Sequence, residues 1–154
     1  MGKRICLVAS GGGHLMELMK LVPAVEEHDF YIVTEKNVAS ENTIKKYRHH
    51  YVLQQERRTW DFPGKFAYNI LASLYFLLKE RPDYIISTGA GAAYPTCKIG
   101  KMLGKKVIFL ESFCRLKTPT KTAQMVYPFA DHFLVQWEEM KKYFPKAEYH
   151  GTVY

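Results

Sequence analysis

Cysteine is scarce, with three in 154 residues. Cys6, Cys97 and Cys114 are odd in number, far apart and set among apolar neighbours, which excludes a disulfide framework or a zinc-binding array and fits reduced packing thiols in a cytoplasmic protein. Acidic residues are the minority charge, 15 against 22 lysines and arginines, for a formal net charge of +7. Long apolar runs are missing as well. The longest, around Phe66 to Leu78, is broken by Asn69 and Ser73 and is well short of a bilayer span. Met1-Gly2-Lys3-Arg4 enters a short apolar strand with no signal-peptide pattern, so neither export nor a membrane-crossing segment is expected. Repeats, low-complexity tracts and interdomain linkers are also lacking, and no metal or cofactor is expected.

What is present is globular: 47% apolar and 24% charged residues in a length suited to one domain, expected over residues 1–154. Strand-like runs at Arg4–Ala9, Phe30–Thr34, Tyr51–Leu53, Tyr84–Ser87, Val107–Leu110 and Phe133–Gln136 alternate with helix-like segments. These are His14–Val22, Ser40–Arg48, Gly64–Glu80, Pro95–Leu103, Thr120–Tyr127 and Trp137–Tyr143. Runs such as "YIIS" and "VIFL" are almost continuously apolar, as parallel strands covered on both faces must be. The expected fold is α/β, a doubly wound, mostly parallel, Rossmann-like sheet.

In such sheets ligands bind at the C-terminal strand ends, and three loops there have unusual composition. "SGGGH", Ser10, Gly11, Gly12, Gly13 and His14, lies where a strand stops and a helix starts. Glycines allow a tight turn and close backbone approach, and a helix start favours negative charge. Met16 occupies the place where a dinucleotide fingerprint needs a small residue, which opposes an oxidoreductase, and no GxxxxGKS/T stretch exists. Two readings of the loop stand: a tight turn with His14 as an ordinary helix-start residue, or an anion-binding turn with His14 as general base. "STGAGAAYP" brings Thr88, Gly89 and Gly91, read either as cleft formers or as close packers. "ESFCRLKTPTKT" brings Glu111, Ser112 and Arg115, followed by Lys117 and Lys121. Its cations are read either as ligand-facing or as a solvated loop.

The helix expected at Gly64–Glu80 shows a core stripe of Phe66, Ile70, Leu71, Leu74, Leu77 and Leu78, with Tyr68, Tyr75 and Phe76 outside it. Just upstream, Arg57, Arg58, Trp60, Phe62 and Lys65 interleave cations with aromatics, a composition suited to an anionic membrane surface. A helix covered by its own domain is the competing reading. No nucleic-acid-binding signature is present, and nucleic acid is not an expected partner.

With these residues assembled, the chain resembles the asparagine-linked glycosylation protein 14 family, whose bacterial members are capsular and exopolysaccharide biosynthesis proteins. The resemblance runs from about Arg4 to Gly151, and Glu111 to Gly151 is its most specific part. The first two loops are similar to the N-terminal half of the peptidoglycan glycosyltransferase MurG, although the glycine turn here is shorter than the GGTGGH of that pattern. The resemblance implies the acceptor-side half of a GT-B glycosyltransferase, with the donor-binding half on a separate catalytic chain. It implies His14 as base, and Ser10, Gly11, Gly12, Gly13, Thr88, Gly89, Gly91, Glu111, Ser112 and Arg115 around a lipid-diphosphate-linked saccharide. The expected activity is that of a UDP-sugar-dependent hexosyltransferase subunit, inactive without its partner. Its expected place is the cytoplasm, peripheral at the inner face of the plasma membrane. The tail Tyr149, His150, Gly151, Thr152, Val153 and Tyr154 is the expected partner-docking element. The competing expectation is a non-catalytic scaffold that stabilises and localises the catalytic chain.

Overall fold

Side chains of β1 (Arg4–Ala9) leave the strand on alternate faces, as the pleat requires. Ile5, Leu7 and Ala9 enter one core, while Cys6 and Val8 enter the other. The computed structural model of the protein describes residues 2–56 and 58–154, and Arg57, one of the expected membrane residues, lies outside them. Around β1 assemble β2 (Asp29–Glu35), β3 (His49–Val52), β4 (Tyr84–Gly89), β5 (Lys106–Leu110), β6 (His132–Val135) and β7 (Glu148–Tyr149). All neighbours pair in parallel, in the order β3-β2-β1-β4-β5-β6-β7. The order reverses between β1 and β4, which makes their C-terminal ends the place where a crevice opens.

The first core is capped by α1 (Gly13–Lys20) and α2 (Val38–Ile44), through Leu15, Leu18 and Ile44. The second is capped by α3 (Phe62–Glu80), α4 (Tyr94–Met102) and α5 (Lys121–Val126), through Leu77, Cys97, Ala123 and Val126. Start signals match local chemistry. Asn37 accepts from the Ser40 amide at 2.8 Å while Ser40 Oγ accepts from the Asn37 amide at 3.0 Å, a reciprocal cap on α2. Burial pushes the Cys6 and Cys97 thiols up to about 12, so both are inert packing groups. Cys114, by contrast, is exposed on a loop rather than packed.

Three expectations need correction. The segment Trp137–Tyr143 is not an α-helix: it holds only a 3-10 turn, Glu138–Lys142. The Trp137 indole N–H donates to the Phe113 carbonyl at 2.6 Å with Trp137 in extended backbone, and Pro145 bars continuation beyond. The tail begins as a seventh strand, β7, beside β6. Third, α3 is rotated from its expected stripe, of which Leu77 stays buried and Phe66 and Leu74 stay part-buried. It buries Asn69, Ser73 and Leu77, whereas Ile70, Leu71 and Leu78 join Tyr68 and Tyr75 in solvent. The reason is local. Just past β3, the Leu53 amide and carbonyl have left the ladder, and the Asn69 carboxamide satisfies both at 2.8 Å. Ser73 pairs with Thr96 of α4 at 2.9 Å. Leaving such buried groups unpaired costs about 1–3 kcal/mol each, enough to orient a helix whose apolar residues do not form one stripe.

Asp131 ties three elements together ahead of β6. One oxygen accepts from the Val107 amide at 2.9 Å, and the other from the Lys101 and Lys106 ammonium groups at 2.9 and 3.2 Å. Burial opposes its charge, yet the hydrogen bonds from Lys101, Val107 and Lys106 outweigh it and hold the carboxyl down at about 2. Because that lies below the roughly 3.9 of an unfolded aspartate, the stabilisation, about 2 kcal/mol, is complete above pH 4 and is lost as pH falls from about 4 to 2. Asp131→Asn should therefore cost about 1–2 kcal/mol at pH 7 and flatten the acid limb of stability. Urea unfolding across pH 2–7 checks this, and an unchanged acid limb would assign the acid sensitivity to another group.

Candidate active site

The register between β1 and β4 slips by one residue: Val8 faces Ser87, but Ala9 faces Gly89. Thr88 is the extra residue of this bulge, so its polar groups are released from the ladder. His14 takes them up. Its Nδ1 lies 2.8 Å from the Thr88 carbonyl, and the Thr88 hydroxyl donates to the His14 carbonyl at 2.6 Å. A carbonyl only accepts, so Nδ1 carries the proton and Nε2 is the unprotonated acceptor of the neutral ring.

The first two loops are laced together by backbone as well. The Ser10 amide donates to the Gly89 carbonyl at 2.8 Å, and the Ser10 hydroxyl accepts from the Ala90 and Ala92 amides at 3.2 and 3.3 Å. Gly12, with φ of 72°, turns the chain into α1, whose first amides are left without a side-chain cap. Gly89 has φ of 90°, and a Cβ there would sit 3.4 Å from His14 Nδ1. A side chain would find only ordinary van der Waals contact there, so it is the left-handed backbone that calls for glycine.

Two acids not singled out in the sequence prove central. Glu35, at the end of β2, accepts from the Gly11 amide at 2.9 Å and the Gln55 amide at 3.0 Å. The Gly11 amide is thus already engaged, and the turn's open donors are those that start α1. Glu17 is buried in α1. One of its oxygens accepts from the Phe113 amide at 2.6 Å and from Ser112 Oγ at 3.3 Å. The other, without a hydrogen bond among the described residues, lies 4.0 Å from His14 Nδ1.

Glu111 and Ser112 are placed inside the third loop and not toward a ligand. Glu111 is buried, with its carboxylate accepting from the Ser112 amide, the Thr120 amide and the Thr120 hydroxyl at 2.9–3.0 Å. Ser112 Oγ donates to Glu17 and accepts from the Cys114 amide. Their work is to close the loop from 111 to 120, which leaves Arg115 exposed at its crest and lets Thr120 cap α5. No ligand-facing role fits Glu111, whose lone pairs already hold its own loop.

A cleft of about 570 Å³ results, lined by Ser10, His14, Glu35, Gln55, Ala90, Gly91, Ala92, Arg115, Pro119, Thr120, Lys121 and Thr122. Of the expected residues it brings together Ser10, His14, Gly91 and Arg115. Gly12 and Gly13 are exposed at the head of α1, while Thr88 and Gly89 support the wall from behind. A smaller apolar pocket of about 310 Å³, lined by Gln55, Phe62, Phe66, Gly91, Tyr94, Thr122 and Met125, adjoins it.

The other expected groups lie apart. Trp60 is 94% exposed. Phe62 turns into the apolar pocket, and the Lys65 ammonium is paired with Asp61 at 2.7 Å, so neither is a free surface anchor. In the tail, Tyr149 pairs in β7, and the Val153 amide donates to Gln136 Oε1 at 3.1 Å. The Tyr154 ring rests 5.0 Å from Phe113, Thr152 donates to the Tyr154 carbonyl, and His150 meets Glu148 at 3.3 Å. His150, Gly151, Thr152 and Val153 line a small pocket of about 160 Å³ with Leu21 at the end of α1 and Ile86, Leu110 and Leu134 of the sheet.

A parallel sheet with a crevice at its order reversal and two laced glycine loops defines the Rossmann-like N-terminal half of a GT-B fold. In structure the chain is similar to MurG of Acinetobacter baumannii, with a TM-score of 0.80 and 15% identity over 97% of this chain and 45% of that one. It is also similar to UDP-N-acetylglucosamine 2-epimerase of Rickettsia bellii, with a TM-score of 0.74 and 12% identity over 99% of this chain and 46% of that one. The chain thus spans just under half the length of these structures. More particularly, it belongs to the family of Alg14-like oligosaccharide biosynthesis proteins, whose model matches residues 5–153. The UDP-N-acetylglucosamine transferase subunit ALG14 of Mus musculus is 27% identical over 180 residues, covering 97% of this chain and 82% of that protein. The subunit of the same name from Schizosaccharomyces pombe is 28% identical over 179 residues, covering 98% and 83%.

Gly89→Ala tests the lacing directly. The left-handed backbone should make the variant less stable by about 1–3 kcal/mol in urea unfolding. Long-range imidazole nitrogen spectra of the parent should show the Nδ1-protonated His14 tautomer. An Nε2-protonated tautomer would mean that the Thr88 carbonyl does not set the ring.

Proposed function

We propose that this chain is the acceptor-binding and membrane-recruiting subunit of a two-chain, UDP-sugar-dependent glycosyltransferase. The observation that carries the reading is the imidazole of His14, held through Nδ1 by the Thr88 carbonyl on the wall of a cleft that also presents Arg115 and Lys121. The names of the relatives, UDP-N-acetylglucosamine transferase subunits, support the donor class and the need for a partner. A lipid diphosphate as acceptor is supported by the cations and open α1 amides, and a bacterial capsular or exopolysaccharide setting by the sequence resemblance.

In this scheme the acceptor diphosphate lies against Arg115 and Lys121, and an acceptor hydroxyl donates to His14 Nε2. As the hydroxyl oxygen attacks the anomeric carbon of the donor, its proton passes to Nε2 while the bond to the nucleoside diphosphate breaks on the partner's side. The ring becomes an imidazolium, and the buried Glu17 carboxylate beside it stabilises the new charge. Glu35 also lines the cleft, and its carboxylate favours neutral sugar hydroxyls over phosphate beside it.

His14→Ala should leave the fold and co-purification with the donor-binding chain intact and reduce transfer to a lipid-diphosphate acceptor by roughly 10²- to 10⁴-fold. A variant complex that assembles and turns over at the parent rate would instead make the chain a scaffold.

Recruitment is supported by the outward face of α3. Leu71 is 67% and Tyr75 59% exposed, in line with Tyr68 and Leu78, with the Lys79 ammonium 5.8 Å from the Tyr75 ring and exposed Arg58 and Trp60 just before the helix. No described helix is long and apolar enough to cross a membrane. Aromatic and aliphatic groups among cations fit an anionic headgroup layer. The protein should sediment with anionic vesicles, less so as salt rises, and Leu71→Ser with Tyr75→Ser should abolish the binding. Vesicle binding unaffected by that pair would place the membrane contact elsewhere.

A further inference from the structure

The cleft and the apolar pocket beside it are continuous: Gln55, Gly91 and Thr122 line both. On one side stand Arg115, Lys121 and His14, and on the other Phe62, Phe66, Tyr94 and Met125. A molecule that fills both volumes has to be anionic at one end and hydrocarbon immediately beyond. A nucleotide sugar offers no such hydrocarbon, and an inorganic anion fills only the first volume.

We infer that the apolar pocket seats the first isoprenoid segment of a lipid diphosphate whose phosphates lie in the cleft; this rests on the acceptor reading above. Phe62 and Phe66 stack at 5.8 Å with an interplanar angle of 20°. They offer aromatic faces to an unsaturated branched chain, while the unbranched thioether of Met125 adapts to its shape. The volume, about 310 Å³, holds a short segment and not a long chain. Phe62, the first residue of α3, is accordingly a specificity residue for the tail rather than a surface anchor.

Calorimetric titration of the full chain with geranyl diphosphate and with inorganic diphosphate, both monomeric and water-soluble, tests the assignment. Each buried methylene gives roughly a fourfold gain, so geranyl diphosphate should bind at least about tenfold more tightly. Phe62→Ser and Met125→Ser should each remove most of that advantage while leaving the affinity for inorganic diphosphate unchanged, which also shows that the variants are folded. Arg115→Gln should weaken both probes. Equal affinity of the parent for the two probes would overturn the pocket assignment and leave the acceptor reading standing. So would an advantage that survives both serine variants. Binding of neither probe would overturn the pocket and the acceptor reading together.

Discussion

A one-residue slip between two central strands governs the architecture of the cleft. Had β1 and β4 stayed in register, Thr88 would face Ala9 within the ladder, and its carbonyl would have no reason to meet a side chain. The slip frees that carbonyl, aligns Gly89 with Ser10, and lets the Ser10 hydroxyl gather the Ala90 and Ala92 amides. The two glycine loops then behave as one wall. His14 belongs to α1 in sequence, but its orientation is set from β4.

Three buried acids perform a second organising task in a chain whose net charge is +7. Glu17, Glu35 and Glu111 each accept backbone amides from a segment that follows a strand. Irregular backbone cannot satisfy itself as a helix or sheet does, and a carboxylate with several lone pairs is an economical acceptor for it. The consequence is a division of labour by sign. Carboxylates point inward and shape the loops, while Arg115 and Lys121 stand on the outside of the same loops and face whatever enters.

The fold was largely legible because parallel strands buried on both faces announce themselves as short apolar runs, and Gly104 and Pro82 punctuate the helices between them. The glycine loops, His14 and Arg115 could be found from composition at strand ends. Glu35 and Glu17 could not, since their partners lie 24 and 96 residues away in sequence and a lone acid in a strand or helix carries no pattern. Glu111 was found for its position but not its role, which depends on Thr120 folding back over it. Strand β7 is only two residues long, too short to show alternation. Helix α3 misled because periodicity counts apolar residues without weighing the unpaired Leu53 backbone, which only Asn69 satisfies.

That rotated helix also affects how the protein behaves in isolation. Tyr68, Leu71, Tyr75 and Leu78 form a strip that water does not welcome, and it cannot be hidden by rotating α3 without stranding Asn69 and Ser73. A chain prepared in plain buffer therefore carries a built-in tendency to self-associate through this strip, growing with concentration and relieved by mild detergent. Loss of soluble material during preparation would then reflect this exposed strip on a correctly folded chain and not a defect in folding.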